Sequence, residues 1–206
     1  MKPILLSIVS LLLPISGWAG NTPCITATLA SYIDLGQDGC TVGDKLFFGF
    51  SYEASAEGGT REIPATEINV NPAEAPFNSW LEFSADWRIE SQQMQRSVIR
   101  YSVFGLRRIG EIADLGLQGT GFTAGMFGTV RVNESTNVGD LSVFLECIEL
   151  CRLTPSDGLK TDPVRLVEVV DDVTLTARFG GATLSSFIAG FSSLACVDGQ
   201  SQQGCP

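Results

Sequence analysis

Along most of the chain apolar and polar side chains alternate with a period of two, the pattern of strands that put one face into a core. The alternation is cleanest at 173–179, where Val173, Leu175, Ala177 and Phe179 oppose Thr174, Thr176 and Arg178. It recurs at 80–90 (Leu81, Phe83, Trp87, Ile89), 98–106 (Ile99, Tyr101, Val103), 128–133 (Val130, Val132) and 141–147 (Leu141, Val143, Leu145, Cys147). At 45–52 it predicts Leu46, Phe48, Phe50 and Tyr52 on one face and Gly49 and Ser51 on the other. Phe47 breaks that polar face and suggests a strand covered on both sides. Shorter strands are predicted at 67–71, 166–170 and 183–191. Another falls at 113–118, inside a Gly-rich stretch that implies a bulge or a close approach.

Polar, Gly- and Pro-bearing stretches at 53–60, 73–78, 92–95 and 154–163 read as loops. Only 28–34, TLASYID, has helical spacing: Thr28 suits an N-cap, Leu29, Tyr32 and Ile33 share a face, and Gly36 and Gly39 end it. Nine to eleven short strands with one short N-terminal helix predict an all-β fold, an antiparallel β-sandwich of jelly-roll or Ig-like type, with a barrel as the other closure.

Residues 1–19 depart from the alternation. Lys2 precedes an apolar run at 4–15, and Gly17 and Ala19 stand where a signal peptidase takes small side chains. The run falls short of the ~20 apolar residues that a bilayer requires. The expectation is a signal peptide cleaved after Ala19, a secreted protein with no later membrane span, and a single β-sandwich domain at 20–206. The net charge of −10 changes the picture in one respect: with no basic stripe, nucleic acid is not an expected partner.

Six cysteines, Cys24, Cys40, Cys147, Cys151, Cys196 and Cys205, all follow the signal. An even count in an exported chain reads as disulfides. Spacing alone leaves the connectivity open; local pairs, Cys24–Cys40, Cys147–Cys151 and Cys196–Cys205, are the simplest arrangement. No cofactor or metal role is expected for them, because the chain has no histidine and no CxxC spacing.

The run at 29–52, LASYIDLGQDGCTVGDKLFFGFSY, resembles the opening of exported bacterial PEP-CTERM-type proteins, whose mature domains start LxxYIxLGxxGCxxGDxxFxxFxY. Looser matches follow in order at 63–72, 81–89, 112–135 and 169–177. That family is largely uncharacterised, so the resemblance implies export and a β fold but no activity. The chain ends SQQGCP, without the Pro-Glu-Pro motif, apolar span and basic end of the sorting tail. Release from the cell is therefore expected rather than sorting.

The missing histidine also removes Ser-His-Asp and Cys-His catalysis. Paired carboxylates remain open to a glycosidase, with Glu82 and Asp86, and Asp171 and Asp172, as the pairs to consider. Strand neighbours point to opposite faces, so the second pair cannot converge, and all four read as solvated turn acids. Asp34, Asp38 and Asp44 lie near the Cys40 turn, where a structural calcium could sit. Trp80, Trp87, Tyr52 and Tyr101 would form a sugar-stacking platform if they shared an open face, and core packing is the alternative. No catalytic residue stands out. The expected function is a secreted, non-enzymatic β-sandwich that contacts an extracellular polysaccharide or surface protein. A glycan-binding module is the alternative, and a carboxylate-based glycosidase the remote one.

Overall fold

The computed structural model describes residues 22–106, 111–124, 127–147 and 151–193, with backbone alone at 122–124, 147 and 151–153. In chain order these form β1 (Ala27–Thr28), α1 (Leu29–Asp34), β2 (Cys40–Val42), β3 (Lys45–Glu57), a 3-10 turn (Ala65–Glu67), β4 (Asn69–Ala75) and β5 (Asn78–Ile89). There follow β6 (Gln93–Gly105), β7 (Ile112–Thr120), β8 (Phe122–Ala124), β9 (Gly128–Thr136), β10 (Gly139–Cys147), β11 (Cys151–Leu153), β12 (Ser156–Val164), β13 (Leu166–Ala177) and β14 (Ala182–Ser193). They make two antiparallel sheets packed face to face, an all-β sandwich with one short helix. One sheet runs β10-β9-β13-β6-β3-β2; the other, eight-stranded, runs β1-β4-β5-β14-β7-β12, with β8 joining β11 to β14. The predicted signal peptide at 1–19 and the C-terminal Cys196 and Cys205 lie outside the described residues.

The inner faces meet on an aromatic centre. Tyr101 stacks on Phe50 at 5.2 Å and lies 5.9 Å from Phe83 and 6.3 Å, edge on, from Phe191. Phe83 stacks on Phe187, and Trp87 packs beside it. Full burial of each such ring is worth roughly 1.5–3 kcal/mol. The predicted inward residues of β5, β6, β9 and β10 are buried, Cys147 apart, whose side chain lies outside the described ones.

On β3 the parity is the reverse of the expected one. Phe47 faces the core, while Leu46 and Phe48 are half-buried. The pairing register with β6 then slips between Phe48 and Ser51, at Gly49, whose φ of 67° only glycine adopts freely. The bulge resets the alternation, so Phe50 points inward as predicted. Three stretches read as loops are strand. β3 continues through Glu57, β4 passes through Pro72 to Ala75, and residues 156–164 pair with β7 as β12. The runs at 166–170 and 173–179 are one strand, β13, and Phe179 lies beyond it, exposed.

Helix α1 begins where expected: the Thr28 hydroxyl accepts from Ser31 N at 3.3 Å, and Leu29 and Tyr32 are buried. A disulfide joins Cys24 to Cys40 with Cα atoms 4.8 Å apart. It holds the N-terminal segment beside β2, where Thr41 N donates to Thr22 O and Cys24 N to Thr41 O. The pairing expected for Cys147 and Cys151 rests on side chains outside those described.

On one flank the terminal strands of the two sheets, β10 and β12, lie against each other. Ser142 N of β10 donates to Asp157 Oδ2 of β12 at 2.9 Å. The β12 ladder is irregular between Lys160 and Val164, around Pro163.

Candidate functional site

Of the acids considered as catalytic pairs, Asp171 is no turn residue. It sits mid-strand in β13, facing inward, while Asp172 faces outward and is held by Arg96 at 2.5 Å. The opposite orientation of neighbours holds; solvation of Asp171 does not. Directly across the ladder from Asp171 stands Glu134 of β9, also wholly buried. Neither carboxyl nor the Tyr101 hydroxyl has a hydrogen-bond partner among the described residues. Burial pushes Asp171 up to about 8, with the nearby Tyr101 hydroxyl and Glu134 carboxyl opposing. Burial pushes Glu134 well up too, helped by the charge of Asp171, so the pair holds protons at neutral pH. Sealed between the sheets, it cannot meet a substrate. Asp86 is largely exposed, whereas Glu82 is half-buried and accepts from Ser186 at 2.8 Å.

A second internal cluster was not foreseen. Lys45, wholly buried, donates to Asp44 Oδ1 at 2.6 Å and to the Ser193 hydroxyl, which donates to Asp44 Oδ2 at 2.8 Å. Desolvation lowers the Lys45 pKa, with Asp44 opposing. A serine beside a lysine can act as a nucleophile, but here the Ser193 hydroxyl is buried and its proton is committed to Asp44. The trio ties the first residue of β3 in one sheet to the last of β14 in the other. Asp44 is thereby taken from the calcium cluster considered with Asp34 and Asp38. Among the described residues no three His, Cys, Asp or Glu side chains gather as metal ligands do.

The four aromatics do not share an open face. Trp87 and Tyr101 are core residues. The Tyr52 hydroxyl donates to Ile63 O at 2.7 Å and meets Ser97 at 2.9 Å, on the other sheet from Trp80. Trp80 alone stands on the outer face of the eight-stranded sheet, half-buried.

What surrounds Trp80 is built by strand register. Across the ladders Trp80 of β5 pairs with Gly190 of β14, Gly190 with Gly116 of β7, and Gly116 with Gly158 of β12. One side chain is thus followed by three glycines in a row perpendicular to the strands. The outward row above is Glu82, Ile188, Gln118 and Ser156; the row below is Asn78, Ser192, Asp114 and Lys160. Outward rows lie about 6.7 Å apart along a strand, so the flanking rows are separated by about 13 Å with bare backbone between them. From β5 to β12 the row crosses three strand spacings, about 14 Å. The result is a trough of about 480 Å³ lined by Trp80, Gly190 and Gly116, with Ile188 among otherwise polar rim side chains.

The fold does not require these glycines. A Cβ at Gly116 would meet nothing within 4 Å, one at Gly158 only Leu115 O at 3.7 Å, and one at Gly190 Gly116 O at 3.5 Å and Trp80 Cβ at 4.0 Å. None has the positive φ of Gly39 or Gly49. Glycine weakens a strand interior and often marks a close approach by a ligand or another backbone; these three are aligned without a steric reason. The Gly-rich stretch at 109–122 carried one of the three, Gly116. The alignment with Gly158 and Gly190 exists only in the folded register.

No family model matches the chain, and no curated protein matches it. Among solved structures it is similar to the module TmCBM61 in complex with beta-1,4-galactotriose, at 9% identity and a TM-score of 0.33 over 67% of this chain and 86% of that one. It is also similar to the enzymatically active domain of tailspike protein 4 of bacteriophage CBA120, at 9% identity and a TM-score of 0.32. There the overlap covers 68% of this chain but only 19% of that one. Overlaps this loose carry no argument about ligand or role. Among the described residues no helix is long and apolar enough to cross a membrane.

Proposed function

We propose that the protein is an exported glycan-binding module whose ligand lies in the glycine-floored trough beside Trp80. The observation that carries this reading is the row Trp80–Gly190–Gly116–Gly158, an open channel that neither backbone strain nor packing demands. A sugar ring has an apolar C–H face for an indole and hydroxyls at its rim. The trough offers Trp80 for the first, and for the second the neutral polar groups Asn78, Ser192, Gln118 and Ser156. Binding here needs no reacting group, in keeping with an exported, non-enzymatic role at a surface or in a matrix. The disulfide supports an oxidising compartment, and the PEP-CTERM-type resemblance of the N-terminal segment supports bacterial export.

The test is retardation in native gels cast with a panel of soluble polysaccharides, followed by calorimetric titration of the binders. Wild type should be retarded by at least one of them. Trp80→Ala should weaken that binding tenfold or more with an unchanged melting temperature, and Gly116→Val should weaken it similarly. Migration unaffected by every polysaccharide, or a Trp80→Ala variant that binds as wild type does, would overturn the reading.

A further inference from the structure

Resting on the trough as the binding site, we infer that its ligand is an uncharged, unbranched polysaccharide chain, held by an internal segment and lying across the strands. The direction follows from the floor. From Trp80 on β5 the row runs free of side chains across β14, β7 and β12, perpendicular to the strands, and side chains stand above and below it. A chain laid along the row meets only backbone and Trp80, whereas one laid along a strand would meet Ile188 or Gln118 within one sugar length.

The ends follow from the topology. β12 is the last strand of its sheet, and its residue in the row, Gly158, is exposed, so nothing on that strand closes the trough. On the other side of Trp80 the row continues to Ala73 of β4, a single methyl. A chain can leave in both directions, so a free end is not required. The rims, about 13 Å apart, admit one chain width and leave no room for a substituent at each residue.

The charge follows from the rims. Two carboxylates stand in the flanking rows: Asp114, below, lines the trough, while Glu82, above, is turned away to Ser186. Asp157 adds a third at the β12 end, with one oxygen accepting from Ser142 N and the other from Gly158 N. Lys160, in register with Asp114, is the one cation of these rows. A chain with a carboxylate or sulfate on each residue would bring negative charge against Asp114 and Asp157, within a molecule of net charge −10. Hydroxyls meet the same carboxylates as hydrogen-bond donors.

The experiment compares native gels cast with neutral linear glucan, galactan and xylan, their branched counterparts, and polygalacturonate and alginate. A neutral linear polymer should bind at least tenfold more tightly than either carboxylated one, and more tightly than its branched counterpart. Borohydride reduction of the polymer ends should leave binding unchanged. Asp114→Asn should narrow the gap between neutral and carboxylated polymers, with its melting temperature showing that the variant folds. Equal or tighter binding of the carboxylated polymers, abolished by Trp80→Ala, would overturn this inference and leave the trough as the binding site. Loss of binding after end reduction would do the same. No retardation by any polymer would overturn the binding reading itself.

Discussion

Asp171 and Glu134 stand directly opposite one another on β13 and β9, both without exposed surface and without a cation beside them. Such a pair is tolerable only if it holds protons. From the adjacent strand β6 of the same sheet the one titratable neighbour is Tyr101, and the inner residues of the other sheet opposite it are Phe83 and Phe191.

A pH dependence of unusual sign results. Asp171 rises from an ordinary 3.8 to about 8 on folding. Between those values the folded protein holds a proton that the unfolded chain has released. Stability is therefore full below about 4 and is lost as pH rises through about 8, at about 1.4 kcal/mol per pH unit for each proton retained. Urea unfolding followed by fluorescence should give a higher midpoint at pH 5 than at pH 7.5. Asp171→Asn should flatten that slope; a variant as pH-dependent as wild type would assign the slope elsewhere.

The Lys45 trio should behave as a clamp between sheets. Lys45→Ala leaves Asp44 without its cation and should cost about 3–5 kcal/mol. The double change Lys45→Met with Asp44→Asn removes both charges and keeps most of the volume, so it should cost clearly less. Denaturation midpoints of the two variants, ranked against wild type, check the order.

Two glycines should respond in opposite ways. At Gly39 φ is 61° and a Cβ would fall 2.2 Å from Phe47 O, so Gly39→Ala should destabilise by more than about 2 kcal/mol. At Gly116 the site is open, and Gly116→Ala should be neutral or stabilising by about 0.5 kcal/mol while weakening ligand binding. Paired melting and binding measurements on both variants decide whether the floor glycines serve the fold or the ligand.

Removing the Cys24–Cys40 bridge with two serines should cost about 3 kcal/mol, the loop-closure value for a sequence separation of 16. Binding in the trough should stay intact, because the bridge anchors β2 and the N-terminal segment, away from β14, β7 and β12. Calorimetric titration at a temperature where both forms are folded checks the second half.

Strand identity and the inward sets of β5, β6, β9 and β10 could be read from alternation, because period two is a local property. Helix α1 could be read from Thr28 and the glycines that follow it. The inversion on β3 could not: the bulge at Gly49 shifts parity, and only pairing with β6 shows where. β12 was hidden because SDGLKTDPV has turn composition and is a strand only through its pairing with β7. Asp171 was hidden for a related reason. Two adjacent acids suggest water, and the β-branched residues on either side carry the strand straight through them. Trp80 was visible as a candidate, but not its separation from Trp87, Tyr52 and Tyr101, nor the glycine row beside it. Both are relations between strands distant in sequence.

The flank where β10 meets β12 bears on how copies of this protein behave when crowded. An unpaired strand invites a second molecule to add its own strand and grow a fibre. Here Asp157 occupies a backbone N–H of β10, and Pro163 leaves a gap in the donors of β12 beside Lys160 and Asp162. Neither ribbon offers an unbroken template, so strand addition from a second molecule is disfavoured along this flank.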